Sequence, residues 1–425
     1  MSQLRLYRWR RNQLGMSLIE LMIALVIGLV LLAGVIQVFS ASRTAYQLSQ
    51  AIARNQENAR FAMDFLQRDL RMVGHAGCVN DQSLLSLNSA GKITGGNIRS
   101  LFMTEEQRND NTVTALPFPL RFDVSIQGFE AKGTSPGDTL AVGTPEVGGV
   151  GDWSPALPDA GLFQEMRPKP IKGSDIVVMR YLSPEQTTVA SFAPPALTYP
   201  DESVAGATKI ATDSTASNLF AMGDCRGTSV FQASAAPGDT SMTVSQTGLN
   251  KSGLAYVGAQ DGALAYGANQ AWLSKAEIVA YYVALNPDDV PSLYRMRWTS
   301  APGGELSAVS DEMAEGVESM QLLYSVDSVT AATSMPSGYL DKSYTGEDLD
   351  ALGADDAAKA NLWRRVGAVQ LGLLLRGTGD HAVVPVPADA NLPQALNVTM
   401  EPANDGQYRS AYESTIALRN RLFGQ

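Results

Sequence analysis

Histidine and cysteine are scarce in this sequence: its 425 residues include two histidines, His75 and His381, and two cysteines, Cys78 and Cys225. Neither histidine lies in an H-E-x-x-H, H-x-E or G-x-S-x-G-linked arrangement, and the cysteines lack the C-x-x-C spacing of zinc sites and redox dithiols. A G-x-x-x-x-G-K-[ST] loop is also missing, so the chain lacks that route to ATP hydrolysis. These absences argue against an enzyme.

Positive charge is the next feature in short supply. The formal net charge is −11, and four arginines without any acid occupy the first 15 residues, which leaves −15 for the remainder. Such acidity opposes binding to phosphate groups, so we expect no nucleic-acid partner. Hydrophobic residues make up 45% of the chain, enough for a large buried core.

The cysteines and the nearby histidine leave alternatives open. In an exported domain Cys78 and Cys225 would form one disulfide closing a loop of roughly 150 residues, whereas two separate buried thiols are the other possibility. His75, three residues before Cys78, is either half of a metal site or a cation near the C-terminus of a helix.

A cluster of acids offers oxygen atoms late in the chain, at Glu347, Asp348, Asp350, Asp355 and Asp356. Calcium prefers six to eight such ligands, but the EF-hand order of residues is absent. Asp355-Asp356 also resembles the start of a short helix over 357–363. We therefore expect a solvated acidic loop and no cofactor, with calcium as the alternative.

The N-terminus contains the longest apolar run. From Met16 to Phe39 the chain has 24 residues with a single charge, Glu20. About 20 apolar residues in a helix cross the hydrocarbon core of a bilayer. The arginines before the run should stay in the cytoplasm, so we expect the large domain on the other side of the membrane.

Two simple interpretations of this run are a secretory signal, cut near Ser40–Ser42, and a plain membrane anchor. The run is too long for a secretory signal, whose apolar region spans about 7–15 residues. A plain anchor gives no reason for Glu20, because a carboxylate near the bilayer centre is disfavoured by roughly 2.5–3.5 kcal/mol. The acid therefore needs a partner or a role.

The motif Gly15-Met16-Ser17-Leu18-Ile19-Glu20 resembles the type III signal of type IV pilins and pseudopilins. The resemblance implies cleavage between Gly15 and Met16 by a prepilin peptidase, methylation of the new N-terminus at Met16, and retention of Glu20 as the fifth mature residue. In the family that acid is thought to attract the N-terminal amine of a neighbouring subunit, which would set the axial register of the filament. Met16 replaces the family's usual phenylalanine. Gln37 stands where major subunits often carry a helix-bending proline, which favours a straighter helix and a minor subunit.

Helical periodicity continues from residue 41 to about 73. Apolar residues recur at three- and four-residue spacings, Glu57–Arg60, Arg60–Asp64 and Asp64–Arg68 are candidate pairs on the exposed face, and Gly74 and Gly77 end the pattern. The segments 56–62, 65–71 and 77–78 resemble the PilW group of minor pilins, and J-type pseudopilins of type II secretion share a looser version.

The pattern after residue 78 becomes short β-rich runs separated by turn residues. We predict strands at Asp175–Leu182, Glu277–Leu285, Leu293–Trp298, Val317–Val326, Val366–Arg376 and Tyr412–Leu418. Two Pro-Gly-Asp turns, in segments 135–139 and 236–240, are interpreted as hairpin entries. Segments 173–177, 281–284, 316–322 and 417–420 also resemble the PilW group, whereas 79–170 and 185–270 match no known segment.

The predicted fold class is α+β, a long N-terminal helix packed on a large antiparallel β domain. The divisions are a leader over 1–15, a membrane half of the helix over 16–40, an amphipathic half over 41–74, and an exported β-rich domain over 75–425. The resemblance implies a minor pilin of the inner membrane and then of the pilus. Its implied partners are the prepilin peptidase, other minor pilins, the major pilin, the assembly platform and a tip adhesin. The alternatives are a J-type pseudopilin and a membrane-anchored binding module.

Overall fold

The computed structural model describes residues 15–80, 86–87, 93–94, 98–109, 116–201, 218–225, 227–254, 269–331, 334, 336–377, 392–402 and 405–420. The predicted leader up to residue 14, parts of both unmatched stretches and His381 lie outside the described residues.

Four α-helices are described, α1 (Leu18–Met72), α2 (Glu105–Asn109), α3 (Gly346–Ala351) and α4 (Asp356–Arg364). The first strands are β1 (His75–Ala76), β2 (Val79–Asn80), β3 (Ser86–Leu87), β4 (Ile93–Thr94), β5 (Ile98–Ser100), β6 (Ile126–Ala131), β7 (Thr139–Val142), β8 (Trp153–Ser154), β9 (Ile176–Thr188), β10 (Ser191–Ala193), β11 (Ala196–Thr198) and β12 (Leu219–Gly223). The others are β13 (Thr228–Gln232), β14 (Ser241–Thr243), β15 (Trp272–Leu285), β16 (Pro291–Ser300), β17 (Leu306–Glu315), β18 (Val317–Asp327), β19 (Leu340–Tyr344), β20 (Val366–Arg376), β21 (Gln394–Ala395), β22 (Val398–Pro402) and β23 (Arg409–Ala417).

Helix α1 is one continuous element of 55 residues, which at 1.5 Å per residue is about 83 Å long. Ser17 caps its N-terminus, no proline interrupts it, and Gly74, at φ 73°, follows its last turn. Residues 15–43 are all exposed, while the buried positions begin at Ala51. The predicted single helix is confirmed.

Two sheets dominate the β domain. In the described part of the chain nine strands form the first sheet, in which β5, β13, β12, β15, β9, β6 and β8 are neighbours in that order and β16 and β17 extend from β15. The second sheet has the order β19-β18-β20-β23 and is antiparallel throughout. All six predicted strands are present; β20 has the predicted bounds, and the other five have shifted ends.

The main core lies where the domain half of α1 meets both sheets. Because α1 and strands β21 and β22 cover opposite faces of β20, this strand is almost continuously apolar. Buried members of the main core are Ala59, Ala62, Leu66, Leu70, Val279, Tyr281, Leu322, Leu371 and Leu373. A second core, around Phe129, Trp153 and Ile278, fills the opposite face of the first sheet.

The two predicted hairpin entries are wrong. Each Pro-Gly-Asp turn does precede a strand, but β7 pairs in parallel with β22 near the C-terminus, and β14 pairs with β11 rather than with the strand just before the turn. Turn residues fix a local reversal of the chain, whereas the choice of strand neighbour depends on packing across the domain.

Candidate assembly site

The residues of the prepilin-like motif lie at the exposed start of α1. Ser17 is extended, and its hydroxyl accepts a hydrogen bond from the backbone N–H of Glu20 at 3.2 Å. This cap places the Glu20 carboxylate in the first helical turn, where the helix dipole favours an acid. Glu20 has no ion-pair partner within the described part of the chain, and Met16 is 63% exposed.

The helix beyond Glu20 has the length and apolar composition of a membrane span, and none of its most apolar window is buried in the structure. Apolar side chains occupy every face over residues 21–36. Such a surface requires lipid or other helices around it, because water does not solvate it favourably.

The domain half of α1 is fixed by a buried acid that the sequence analysis missed. Asp69 is 6% exposed and accepts hydrogen bonds from the hydroxyls of Tyr181 at 3.0 Å and Tyr281 at 2.8 Å, and from Nε of Arg295 at 2.7 Å. These partners come from β9, β15 and β16, three adjacent strands. One helix side chain therefore joins α1 to the middle of the first sheet.

Electrostatics favour the neutral form of both tyrosines and the charged form of Arg295. Burial raises the pKa of Tyr181 and of Tyr281, and the negative charge of Asp69 raises both further. Burial opposes the charge of Arg295, but the attraction of Asp69 outweighs it and raises the pKa of this guanidinium. Both tyrosines therefore remain hydrogen-bond donors at physiological pH.

Cys78 and Cys225 form a disulfide in the structure, with a Cα–Cα distance of 4.7 Å. The bond joins the segment after α1 to the turn after β12, and beside it the Thr228 hydroxyl donates a hydrogen bond to the Ala76 carbonyl at 3.1 Å. A cross-link across 147 residues of sequence stabilises by about 4–5 kcal/mol if chain entropy dominates.

His75 differs from both interpretations of its sequence position. The Cys78 sulfur is bonded to Cys225, so the His75–Cys78 spacing does not describe two metal ligands here. His75 lies in β1 and burial lowers its pKa, which opposes the role of a cation at the helix end.

The late acidic segment is helical, so the predicted loop is wrong. Thr345 caps α3 and Asp355 caps α4, and Asp350 forms an ion pair with Lys359 at 2.7 Å. The acids are therefore used as caps and partners of short helices, as the Asp355-Asp356 pattern allowed. Within the described ranges no group of three or more His, Cys, Asp or Glu side chains is arranged to hold a metal ion.

The PilW-like segments 173–177 and 316–322 meet at a joint between the two sheets. The Asp175 backbone N–H donates to the Met320 carbonyl at 2.8 Å, and its carboxylate accepts from the Leu322 backbone N–H at 2.8 Å. The Ser319 hydroxyl donates to the Gly173 carbonyl at 2.8 Å.

The other two PilW-like segments contact α1. Tyr281 belongs to segment 281–284 and donates to Asp69. In segment 417–420 the Asn420 side-chain amide donates to the Arg71 carbonyl at 2.9 Å, at the C-terminal end of the helix. The segments that resemble the family are thus the points where helix and sheets are joined.

The sequence analysis also missed a pair of neighbouring buried acids. Glu130 and Asp175 are each 2% exposed, and Asp175 also accepts a hydrogen bond from the Ala131 backbone N–H at 2.8 Å. Burial raises the pKa of both carboxyls, and the charge of Asp175 raises that of Glu130 further. The only sequence signal was an acid placed between Phe129 and Ala131 in an apolar strand.

Comparison with known families gives two matches on this architecture. Residues 10–36 match the prokaryotic N-terminal methylation motif, and residues 280–420 match PilW, the type IV pilus-assembly protein W. No curated protein and no solved structure matches the chain.

The methylation motif on an exposed apolar helix, followed by a β domain, fits a membrane-anchored protein of the pilin-like class. Within that class the two matches support a type IV pilus minor pilin of the PilW group, so the resemblance is confirmed. The matched ranges cover the end of β15, strands β16–β23 and the start of α1, and not the segments at 56–78 that resembled PilW most closely in sequence.

Proposed function

We propose that this chain is a minor pilin that helps to prime assembly of a type IV pilus and then stays in the filament, at or near its tip. Its role is structural rather than enzymatic. The observation that supports the proposal is the combination of a methylation motif on the exposed, apolar half of α1 with a PilW match in the domain that the other half of the helix packs against.

Processing would take place at the motif itself. A prepilin peptidase would cut between Gly15 and Met16, and Met16 would become the methylated N-terminus. The unpaired carboxylate of Glu20 would then attract the N-terminal amine of a neighbouring subunit. Each charge is costly alone in lipid, and together they neutralise one another, so the pair favours a single axial register.

The position near the tip follows from the size of the domain. About 350 residues follow α1, and many such domains would crowd a helical filament, whereas a few at one end would not. The proposed partners are other minor pilins, the major pilin, the assembly platform and an adhesin above them. Before assembly the chain would lie in the inner membrane with its domain in the periplasm.

Replacement of one acid tests the mechanism. We expect Glu20→Ala to reduce recovery of the chain in sheared pili at least tenfold while leaving its thermal unfolding unchanged, because Glu20 is exposed at the start of α1, ahead of the packed half of the helix. Glu57→Ala is the matched control, an exposed acid on the same helix. Equal recovery of the Glu20→Ala chain and the unmodified chain would refute the proposed role.

The mature N-terminus tests the class independently. Mass spectrometry of the purified full chain should find N-methyl-Met16, and an intact Met1 would contradict processing.

Deletion of the gene should abolish twitching motility and leave exoprotein secretion intact. The opposite pattern would assign the chain to type II secretion. Counting copies per filament checks the tip position, since a stoichiometry near that of the major subunit would contradict it.

A further inference from the structure

An open groove of about 690 Å³ runs beside the last two turns of α1. The helix side contributes Phe65, Arg68 and Met72, while Arg297 and Met313 from β16 and β17 line the sheet side. This volume falls within the range of sites that hold a small ligand or a few side chains. The groove also runs along α1, the helix through which the proposed function has the chain assemble into the filament.

The groove is lined by three acids, Asp64, Asp69 and Glu277, and each already has a cation beside it. Asp64 is exposed and lies 4.0 Å from Arg60. Asp69 is paired with Arg295, as described above. Glu277 is half-buried on the floor, where Arg295, Lys275 and Arg297 attract its charge. A basic ligand would therefore compete with arginines that are already in place.

The cations at the rim lack such partners. Arg68 and Arg71 are exposed, and neither has a carboxylate partner in the described part of the chain. The Arg71 guanidinium donates a hydrogen bond to the Gln67 amide oxygen at 3.5 Å. This pair of free cations belongs to a chain whose remainder after the leader carries −15. The rim is thus a local exception to the acidic character of the molecule, and it favours carboxylates.

Apolar side chains lie between these charges. Phe65, Met72 and Met313 are each only half-buried in the groove. Methionine and phenylalanine provide an adaptable apolar surface for a partner's side chain. The cations at the rim and the apolar groups inside the groove would together suit a ligand that has a carboxylate next to an apolar group.

We propose that this groove docks a segment of a neighbouring pilin subunit of another kind, one that carries a carboxylate beside an apolar side chain. The carboxylate would pair with Arg68 and Arg71, and the apolar side chain would lie against Met72 and Met313. This inference rests on the proposed function, which supplies the neighbouring subunit and places few copies of this chain in each filament.

Site-specific photo-crosslinking in cells with intact pilus machinery tests the docking. The full chain carries p-benzoylphenylalanine in place of Met313, and the matched control carries it in place of Val309. Val309 lies on the same strand, is 45% exposed and does not line the groove. We expect the crosslink from position 313 to be at least tenfold stronger, and mass spectrometry should locate it in an acid-containing peptide of a different pilin.

Charge reversal tests the recognition. The double variant Arg68→Glu/Arg71→Glu should reduce the crosslink at least fivefold, and Arg68→Gln/Arg71→Gln should reduce it less. Arg60→Glu is the control, since Arg60 is on the same helix, is 84% exposed at its side chain and lies outside the groove. An unchanged thermal unfolding midpoint shows that each variant is folded.

Three results would overturn the inference: equal crosslinks at 309 and 313, a crosslink to a second copy of this chain, or a crosslinked peptide without acids. Failure of the groove assignment and failure of the proposed function give different results. If the chain is processed at Met16 and recovered in pili but position 313 captures no pilin, only the groove assignment is refuted. If Met1 is intact, the proposed function itself is refuted.

Discussion

The two halves of helix α1 have the same backbone and opposite surroundings. Residues 18–39 expose every side chain, whereas Ala59, Ala62, Leu66 and Leu70 in the second half are at most 2% exposed. The first half is apolar on all faces, whereas the second buries one stripe of apolar residues and leaves its other faces exposed, with Phe61 as an exposed apolar side chain. A continuous helix can thus be built for two different environments, with its sequence changing at about residue 43.

The two acids Glu20 and Asp69 show the same difference between the exposed half and the packed half of α1 at the level of single residues. The Asp69 carboxylate has three donors inside its own chain, and the Glu20 carboxylate has no ion-pair partner among the residues that the structure describes. Loss of Asp69 should therefore reduce the stability of the domain, whereas loss of Glu20 should affect only what happens between subunits.

The largest effect on stability is expected at Asp69. Asp69→Ala would leave the partly buried guanidinium of Arg295 without its carboxylate and two buried tyrosine hydroxyls without their acceptor. Breaking such a pair costs about 3–5 kcal/mol. Urea unfolding of the full chain in detergent measures the loss. A loss below about 1 kcal/mol would mean that the cluster does not fix α1 to the sheet, and the contrast with Glu20 would disappear.

One substitution made in each half of the helix sharpens the comparison. Leu66 is fully buried and Leu29 is 60% exposed. Leu66→Ala should cost about 2–5 kcal/mol through lost burial and a residual cavity. Leu29→Ala in detergent should cost less than about 0.5 kcal/mol, because no domain residue covers it. Similar losses at both positions, measured by the same urea titration, would contradict the division of the helix.

Sequence patterns predicted the parts of this molecule that depend on neighbours in the chain. The extent of α1 and strand β20 follow from local composition and periodicity, and the prepilin-like motif was identified by its resemblance to a known family. The neighbours of β7 and β14 did not follow, since those pairings form between segments distant in sequence. Asp69 was missed although it lies between Leu66 and Leu70. Its place on the buried stripe was the signal that an internal partner had to exist.

A smaller, pH-dependent effect is expected at Glu130, inside the domain and far from the membrane half. Burial raises the pKa of Glu130 in the folded protein above its ordinary value of 4.5. The folded state therefore binds the proton more tightly than the unfolded state, and stability falls as the pH rises above about 4.5. Glu130→Gln mimics the protonated carboxyl and should remove part of this fall.

The measurement is the free energy of unfolding of both chains between pH 5 and pH 9. We expect near equality at pH 5 and a gain on the order of 1 kcal/mol for Glu130→Gln at pH 9. The charges of Asp175, Glu347 and Asp348 raise the pKa of Glu130 further, and a hydrogen bond from the Gly346 backbone N–H lowers it without reversing the sign. A gain that is the same at every pH would show that proton binding is not its cause.

The smallest effect on stability is expected for a charge pair on the solvent-exposed face of the domain half of α1. Arg60–Asp64, one of the three predicted pairs, is an ion pair in the structure, at 4.0 Å with side chains 84% and 69% exposed. Solvent screens such a pair, so Asp64→Asn should change the free energy of unfolding by less than about 0.5 kcal/mol. Asp69→Asn, one turn further along the helix, is the buried counterpart and should cost several times more. If Asp64→Asn were equally costly, the exposed face of α1 would contribute to the stability of the fold. The division of the domain half of α1 into a packed face and a free face would then be wrong.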